Sequence, residues 1–207
     1  MENIWGSADV SSLMNEKKNK NGNGDEKVLV EVTGNHIYFY SDIFEDSVLQ
    51  LIKTMQETIV KLKSNLFQYG IDKPEIHLHI NSGGGVIFHG ISAMDNILRL
   101  KKDATIITHI EGRCASAATF LSVIGDRRII HPNSFMLIHQ LSTFFYGKYD
   151  EFEDKRKNID QLMDFIKDIY KKYSEVPMEE LDDILKHDIY FNAEKCLEYK
   201  LVDEIYQ

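Results

Sequence analysis

Apolar and polar positions follow two different periods along the chain, and the change of period separates predicted helices from strands. Apolar side chains recur at helical spacing over residues 44–69, for example at Val48, Met55 and Ile59, which predicts a long amphipathic helix. Residues 75–81 alternate apolar and polar side chains, and residues 105–110 are β-branched except His109, so both predict strands.

The rest of the chain continues this alternation of strands and helices. Further strands are predicted at residues 28–32, 36–40, 129–130, 135–140, 141–146 and 201–205, and further helices at 86–100, 117–124, 150–174, 177 onward and 193–199. Asn192 has the residue type and position of an N-cap for the last helix. The pattern predicts an α/β fold with helices covering the faces of a sheet.

The first 27 residues differ from the rest because they are polar and low in complexity. We expect a flexible arm at 1–27, in which Trp5 is available to a partner or a neighbouring subunit, followed by one domain over 28–207. The net charge of −9 argues against a nucleic-acid partner, and no apolar run is long enough for a membrane span. Two cysteines form no disulfide framework, so we expect a cytoplasmic protein.

Candidate chemistry is concentrated where predicted strands turn into helices. Ser116 follows the strand at 105–110 and precedes a helix, where free N–H groups and the helix dipole favour a negatively charged oxygen. A plain N-cap role is the alternative for a serine at such a position. The glycine-rich segment 82–85 makes a similar turn and lacks both the Walker and the GxGxxG pattern, so it gives only a weak indication of phosphate binding. Its glycines permit the close approach that oxyanion stabilisation by one or two N–H groups needs.

Histidines offer a second kind of candidate. His139 ends an apolar strand and, taken alone, is more typical of a core-edge histidine than of a catalyst. His77 and His79 share one face of their strand, but no third ligand is apparent, so we favour packing or a surface role over a metal site.

Four stretches, taken together, resemble the proteolytic subunits of Clp proteases, a family of serine peptidases. These stretches are INSGGGVI at 80–87, GRCAS at 112–116, the segment from Gly125 to the His-Gln pair at 139–140, and the segment from Asp188 to LVD at 201–203. The resemblance implies the Clp protease/crotonase-like fold, in which helices cover stacked β-strands and a strand–helix handle, here residues 141–175, protrudes.

The resemblance also implies roles for individual residues. Ser116 is then the nucleophile, His139 the general base and Asp188 the residue that orients the imidazole. The N–H groups of Gly85 and Ala117 would form the oxyanion hole. No cofactor is implied, because ATP is used only by a partner unfoldase.

The expected assembly is a tetradecamer of two heptameric rings that encloses the active sites and receives unfolded polypeptides from an AAA+ unfoldase. The strand at 141–146 and a helical stripe would join the rings; the stripe comprises Ile159, Leu162, Ile166, Ile169 and Tyr173. The chain departs from the family pattern where Gly83 replaces a usual proline and Lys200 a usual glycine.

Three other interpretations remain open. The chain could be an inactive structural subunit of such an assembly, or a crotonase-fold acyl-CoA enzyme, which would leave the three catalytic candidates without a role. A Ser–Lys dyad that uses Lys101 or Lys102 would leave His139 and Asp188 unexplained.

Overall fold

The computed structural model describes residues 30–207, so the predicted arm and Trp5 lie outside the described residues. The strands are β1 (Val30–Thr33), β2 (His36–Phe39), β3 (Glu75–Ser82), β4 (Thr105–Ala115), β5 (Arg127–Ile130), β6 (Phe135–Leu137) and β7 (Glu204–Ile205). The helices are α1 (Glu45–Leu66), α2 (Ile87–Leu100), α3 (Thr119–Ser122), α4 (Tyr149–Tyr173), α5 (Met178–Ile184) and α6 (Ala193–Glu198). The predicted α/β class is confirmed.

The strands form one sheet in the order β1-β2-β3-β4-β5-β7, and β6 pairs separately with the last part of β4. β1 and β2 are antiparallel, whereas all other pairs are parallel. The carboxyl ends of β3, β4 and β6 therefore meet at one edge of the sheet. Ligand sites of parallel sheets form at this edge.

The core lies between the sheet and the helices that cover it, among them α1. Ile37, Ile76 and Leu78 are fully buried, as are Leu51 and Met55 of α1. Burying one such side chain contributes about 1.5–3 kcal/mol relative to leaving it exposed. The helical stripe predicted over 44–69 thus faces the core, and the helix proper ends at Leu66 before a 3₁₀ turn, Phe67–Tyr69.

β4 is longer than the sequence predicts, because it continues past a bulge instead of ending at residue 110. Ile80 of β3 pairs with Ile110, but the next pair is Ser82 with Cys114, so two residues of β3 match four of β4. Gly112 has a φ of 70° within this bulge, a conformation that glycine adopts without a steric penalty. The strand then continues to Ala115 and reaches the candidate nucleophile directly.

The prediction of a strand at 141–146 is wrong for a single subunit. Among residues 30–207 no strand pairs with this segment, and a strand whose backbone groups lack a partner is not stable by itself. The strand predicted at 135–140 is likewise shorter and ends at Leu137.

The long helix α4 divides its apolar stripe between two environments. Ile166 and Ile169 are each 3% exposed and belong to the core of the subunit, so they are not available for contact between rings. Ile159 and Leu162, nearer the amino end, are half-buried. The assignment of the stripe to a contact between rings is therefore wrong for Ile166 and Ile169.

The last helix begins as its sequence predicts and ends at Glu198, one residue before the predicted end. Asn192 Oδ1 accepts a hydrogen bond of 3.0 Å from the backbone N–H of Lys195, so Asn192 is the N-cap. Lys200 follows the helix with a φ of 52°, the left-handed conformation that a glycine would adopt more easily.

Candidate active site

Ser116 lies where β4 turns into a 3₁₀ helix, Ser116–Ala118, that leads into α3. Its φ of 55° is unusual for a residue with a Cβ, and strained conformations of this kind occur preferentially at functional sites. The small residues on either side, Ala115 and Ala117, are buried, whereas Ser116 itself is partly exposed. The predicted strand-to-helix turn is thus present, and it turns the serine towards a cavity.

The glycine turn after β3 lies directly against the Ser116 turn. A Cβ on Gly84 would come within 2.6 Å of both the Cβ of Ser116 and the carbonyl oxygen of Ala115, so only glycine allows this approach. Gly85 has a φ of 151°, and a Cβ there would collide with the carbonyl oxygen of Ile43. Close approach, as well as backbone freedom, requires these two glycines.

Hydrogen bonds to Ile43 orient the amide of Gly85. The N–H of Ile43 donates to the carbonyl of Gly84 at 2.8 Å, and the N–H of Val86 donates to the carbonyl of Ile43 at 2.9 Å. In a parallel bridge these bonds use the residues before and after Gly85, so the N–H of Gly85 points away from Ile43.

His139 and Asp188 are brought together by the segments that follow β6 and α5. The Nδ1 of His139 lies 2.8 Å from the Oδ1 of Asp188. Beside them, the N–H of Gln140 donates to the carbonyl of Leu185 at 2.6 Å, which ties the two segments together. The imidazole is 21% exposed and the carboxylate 76% exposed, so this pair is open to solvent on the Asp188 side.

Ser116 and His139 line one cavity of about 110 Å³, together with Gly85, Ala117 and Tyr170. In the described part of the chain, no hydrogen bond joins the Oγ of Ser116 to the imidazole. An adjacent groove of about 660 Å³ shares part of this lining; the shared residues are Gly85, Ile87, Leu141 and Ser142. The five residues that the sequence singles out therefore lie around one site, next to this groove.

Two residues of this site are not predicted by the sequence. The hydroxyl of Thr119 donates to the carbonyl of Ser116 at 2.6 Å and lies 2.7 Å from the hydroxyl of Tyr170. Since the single proton of Thr119 is used for Ser116, Tyr170 is the donor in the second bond. Tyr170 is 1% exposed, and burial raises its pKa, so it keeps the proton that this bond requires.

Gly83, where the chain departs from the family pattern, lies beside Arg113 and Asp42. A Cβ on Gly83 would lie 2.8 Å from an Nη atom of Arg113 and 3.3 Å from the Oδ1 of Asp42. Because this Nη atom is the end of a flexible side chain, a larger residue at position 83 would require the guanidinium to move.

Cys114 and Lys101 are less suitable than Ser116 and His139 as nucleophile and base. Cys114 is fully buried, and burial raises the pKa of its thiol to about 12, so it remains a thiol near neutral pH. Lys101 donates to the carbonyl of Ile124 at 2.7 Å and pairs with Asp126 at 3.1 Å. Both contacts hold Lys101 away from the cavity of Ser116, which argues against a Ser–Lys dyad that uses this lysine.

His77 and His79 belong to a larger group than the sequence suggests. His36 and His109 lie beside them on the neighbouring strands, and His131 follows β5. No three or more His, Cys, Asp or Glu side chains within residues 30–207 are arranged to hold a metal ion. None of the helices in this part of the chain is long and apolar enough to cross a membrane.

Comparison of the sequence with known proteins shows the family of the chain. A relative from Deinococcus radiodurans, described as an ATP-dependent Clp protease proteolytic subunit, is 32% identical over 133 residues. The match covers 63% of this chain and 64% of the relative, just under two thirds of its length. A sequence model of the family described as Clp protease matches residues 32–207. The chain therefore belongs to the Clp protease family.

Proposed function

We propose that the protein is a serine endopeptidase of the Clp type that hydrolyses peptide bonds of unfolded polypeptides. The observation that supports this most directly is the common cavity of Ser116 and His139, with His139 held by Asp188 at 2.8 Å. Family membership agrees with this assignment.

The chemistry assigns one step to each group. The Nε2 of His139 takes the proton of Ser116 as the Oγ attacks the substrate carbonyl, because a serine hydroxyl is a weak nucleophile without a base. Asp188 holds the imidazole in the required tautomer and stabilises its charged form. The N–H groups of Gly85 and Ala117 donate to the oxyanion, and loss of one such donor typically costs about 10²- to 10³-fold in kcat. His139 then gives this proton to the leaving amine as the peptide C–N bond breaks and the acyl-enzyme forms. Water, which His139 activates, hydrolyses the acyl-enzyme and regenerates Ser116.

A fluorophosphonate probe with intact-mass detection tests this reaction class. We expect one adduct on the wild type and none on Ser116→Ala. Ser142→Ala, which alters another serine of the same cavity, is the matched control and should label normally. An unlabelled wild type would favour an inactive structural subunit or an acyl-CoA enzyme. If labelling is lost in Cys114→Ala but retained in Ser116→Ala, Ser116 is not the nucleophile.

Assembly into two stacked heptameric rings is the second part of the proposal. Large aromatic side chains are exposed around the amino end of α4: Phe144 is 84% exposed, Tyr146 92% and Tyr149 80%. A second subunit that pairs with residues 141–146 would supply the missing strand partner and cover these rings. Contact of this kind would also fix the position of α4. Because Tyr170 of α4 contacts the Ser116 turn through Thr119, the contact would help to position Ser116. In this arrangement a partner AAA+ unfoldase would use ATP and feed the chamber, while the subunit itself needs no cofactor.

Native mass spectrometry tests the assembly. We expect a 14-subunit species for the wild type and smaller species for a Phe144→Asp/Tyr146→Asp variant. Tyr69→Asp changes an aromatic that is 71% exposed at the end of the first helix and should leave the assembly intact. A wild type that is monomeric at micromolar concentration and fully active on peptides would refute the assembly but not the chemistry.

A further inference from the structure

Five histidines form a stacked group on the sheet face opposite the core, which we call the imidazole cluster: His36, His77, His79, His109 and His131. The ring centroids of His36 and His77 are 4.5 Å apart, and so are those of His79 and His109. The five histidines lie on or next to four neighbouring strands. One carboxylate, that of Glu111 of β4, lies among them and contacts His79 and His131.

Glu111 ends a chain of hydrogen bonds whose direction can be derived. The Nδ1 of His79 lies 2.7 Å from Glu111 Oε1, and an ionised carboxylate only accepts, so this nitrogen carries the proton. Neutral His79 then accepts at Nε2, where the Nδ1 of His36 donates at 2.8 Å. The other carboxylate oxygen accepts from the hydroxyl of Tyr40.

These contacts keep Glu111 ionised. Burial alone would raise its pKa, but the hydrogen bonds from Tyr40 and His79 and the nearby imidazoles outweigh burial and lower it. The Nε2 of His131 lies 3.4 Å from the same carboxylate, and among residues 30–207 it has no hydrogen-bond partner. Glu111 thus connects β4 to β3 and to the residue after β2 through the hydrogen bonds of His79 and Tyr40.

The position of Glu111 in β4 gives this connection a consequence for Ser116. Glu111 follows Ile110, the last residue paired in the ordinary register, and precedes Gly112 in the bulge. Beyond the bulge, Arg113 to Ala115 pair with β6 and lead directly to Ser116. Any slip at the bulge would therefore move the Ser116 turn relative to the glycines at 84 and 85.

We propose that Glu111 is a positioning residue, which fixes the bulge of β4 through Tyr40 and His79 and so sets the position of Ser116 against the oxyanion turn. The inference rests on the proposed peptidase function for its kinetic consequence. Its structural consequence, the rigidity of residues 112–118, does not depend on that function.

The test compares Glu111→Gln with Glu31→Gln, which makes the same change at an exposed glutamate of β1. Displacement of a reacting group by about 1 Å costs up to about 10²-fold, so we expect Glu111→Gln to lower kcat on a short fluorogenic peptide roughly tenfold or more. KM should change by less than about twofold, because substrate binding is untouched. Amide hydrogen exchange of residues 112–118 should be faster in Glu111→Gln and unchanged in Glu31→Gln.

Unchanged exchange and unchanged kcat in a folded Glu111→Gln protein would overturn the proposal. Should that variant fail to fold, Tyr40→Phe decides, since it removes one hydroxyl from a side chain that is 54% exposed. If amide hydrogen exchange of residues 112–118 is then the same in Tyr40→Phe as in the wild type, the proposal is overturned. A wild type that does not react with fluorophosphonate defeats the peptidase function, whereas the exchange result still decides the role of Glu111.

Discussion

Lowering the pH from 7.5 to 5 should destabilise the subunit through the buried imidazole of His109. This side chain is 5% exposed and its Nδ1 has no hydrogen-bond partner in the described structure, so nothing solvates a second proton there. Burial, and then the neighbouring His79 and His77, lower the pKa of His109 to about 3. In the unfolded chain the ordinary pKa of about 6.5 applies.

The size of the effect follows from proton linkage. Between about pH 6.5 and pH 3, the unfolded chain binds a proton at residue 109 that the folded chain does not, so the free energy of unfolding decreases as the pH falls. At pH 7.5 both states are neutral and the contribution is close to zero. At pH 5 it reaches about 2 kcal/mol, since the unfolded histidine is then almost fully protonated.

The neighbouring groups whose pKa is shifted either add to the loss of stability at pH 5 or act only at lower pH. Burial is the main cause that lowers the pKa of His77 and of His79, so both add to the loss at pH 5. The pKa of Glu111 is also lowered, and its contribution is lost only as the pH falls below the ordinary value of about 4.5. Other titratable groups on or near this face are His36, Tyr38, Tyr40, Glu75, Arg127, His131 and Tyr206.

Urea denaturation followed by circular dichroism at pH 7.5, 6 and 5 measures this loss, at one fixed subunit concentration because association affects apparent stability. We expect His109→Ile to lose about 2 kcal/mol less than the wild type between pH 7.5 and 5. His187→Asn, at a histidine that is 57% exposed, should follow the wild type. Equal losses in His109→Ile and the wild type would refute the reasoning.

Three further predictions concern the site and its support. His139→Ala should reduce peptide hydrolysis by at least about 10³-fold, because triad members act as a unit; fluorogenic peptide assays measure this, and retention of near wild-type turnover would contradict the assignment. Tyr170→Phe should cost about 1 kcal/mol in urea denaturation and lower kcat, because it removes the donor to Thr119; Tyr190→Phe, at a partly exposed tyrosine, is the control. Lys200→Gly should raise the free energy of unfolding by about 0.5–1 kcal/mol, because the φ of 52° favours glycine; a loss of stability would show that the lysine side chain matters more than its backbone.

Two of the catalytic candidates can be selected from their own short segments. Ser116 and Gly85 lie in strand-to-helix turns, and the ends of parallel strands necessarily meet at one edge of the sheet. His139 needed more, since an isolated histidine after a strand has no distinctive pattern. Its assignment depended on the order of motifs along the chain, and the 2.8 Å contact with Asp188 is the independent geometric support.

The imidazole cluster was not predictable in the same way, because it depends on register between strands. His36 pairs laterally with His77, and His79 with His109, although 41 and 30 residues separate the partners in sequence. The period-two pattern predicted that His77 and His79 share a face, but it did not place the neighbouring strands beside them. The strand predicted at 141–146 is wrong for a different reason, since its aromatic pattern suits a strand but no strand within residues 30–207 pairs with it.

β4 explains why an error in register would matter for the site. Its first part pairs with β5, as far as Ile110 with Ile130, and its last part pairs with β6, from Arg113 with Phe135. The bulge lies where the neighbour changes, and there the N–H of Gly112 donates to the hydroxyl of Ser134 at 2.8 Å. Because β6 leads to His139 and β4 to Ser116, this exchange of neighbours brings the two side chains to one cavity. The geometry of the proposed site therefore depends on the stability of the bulge.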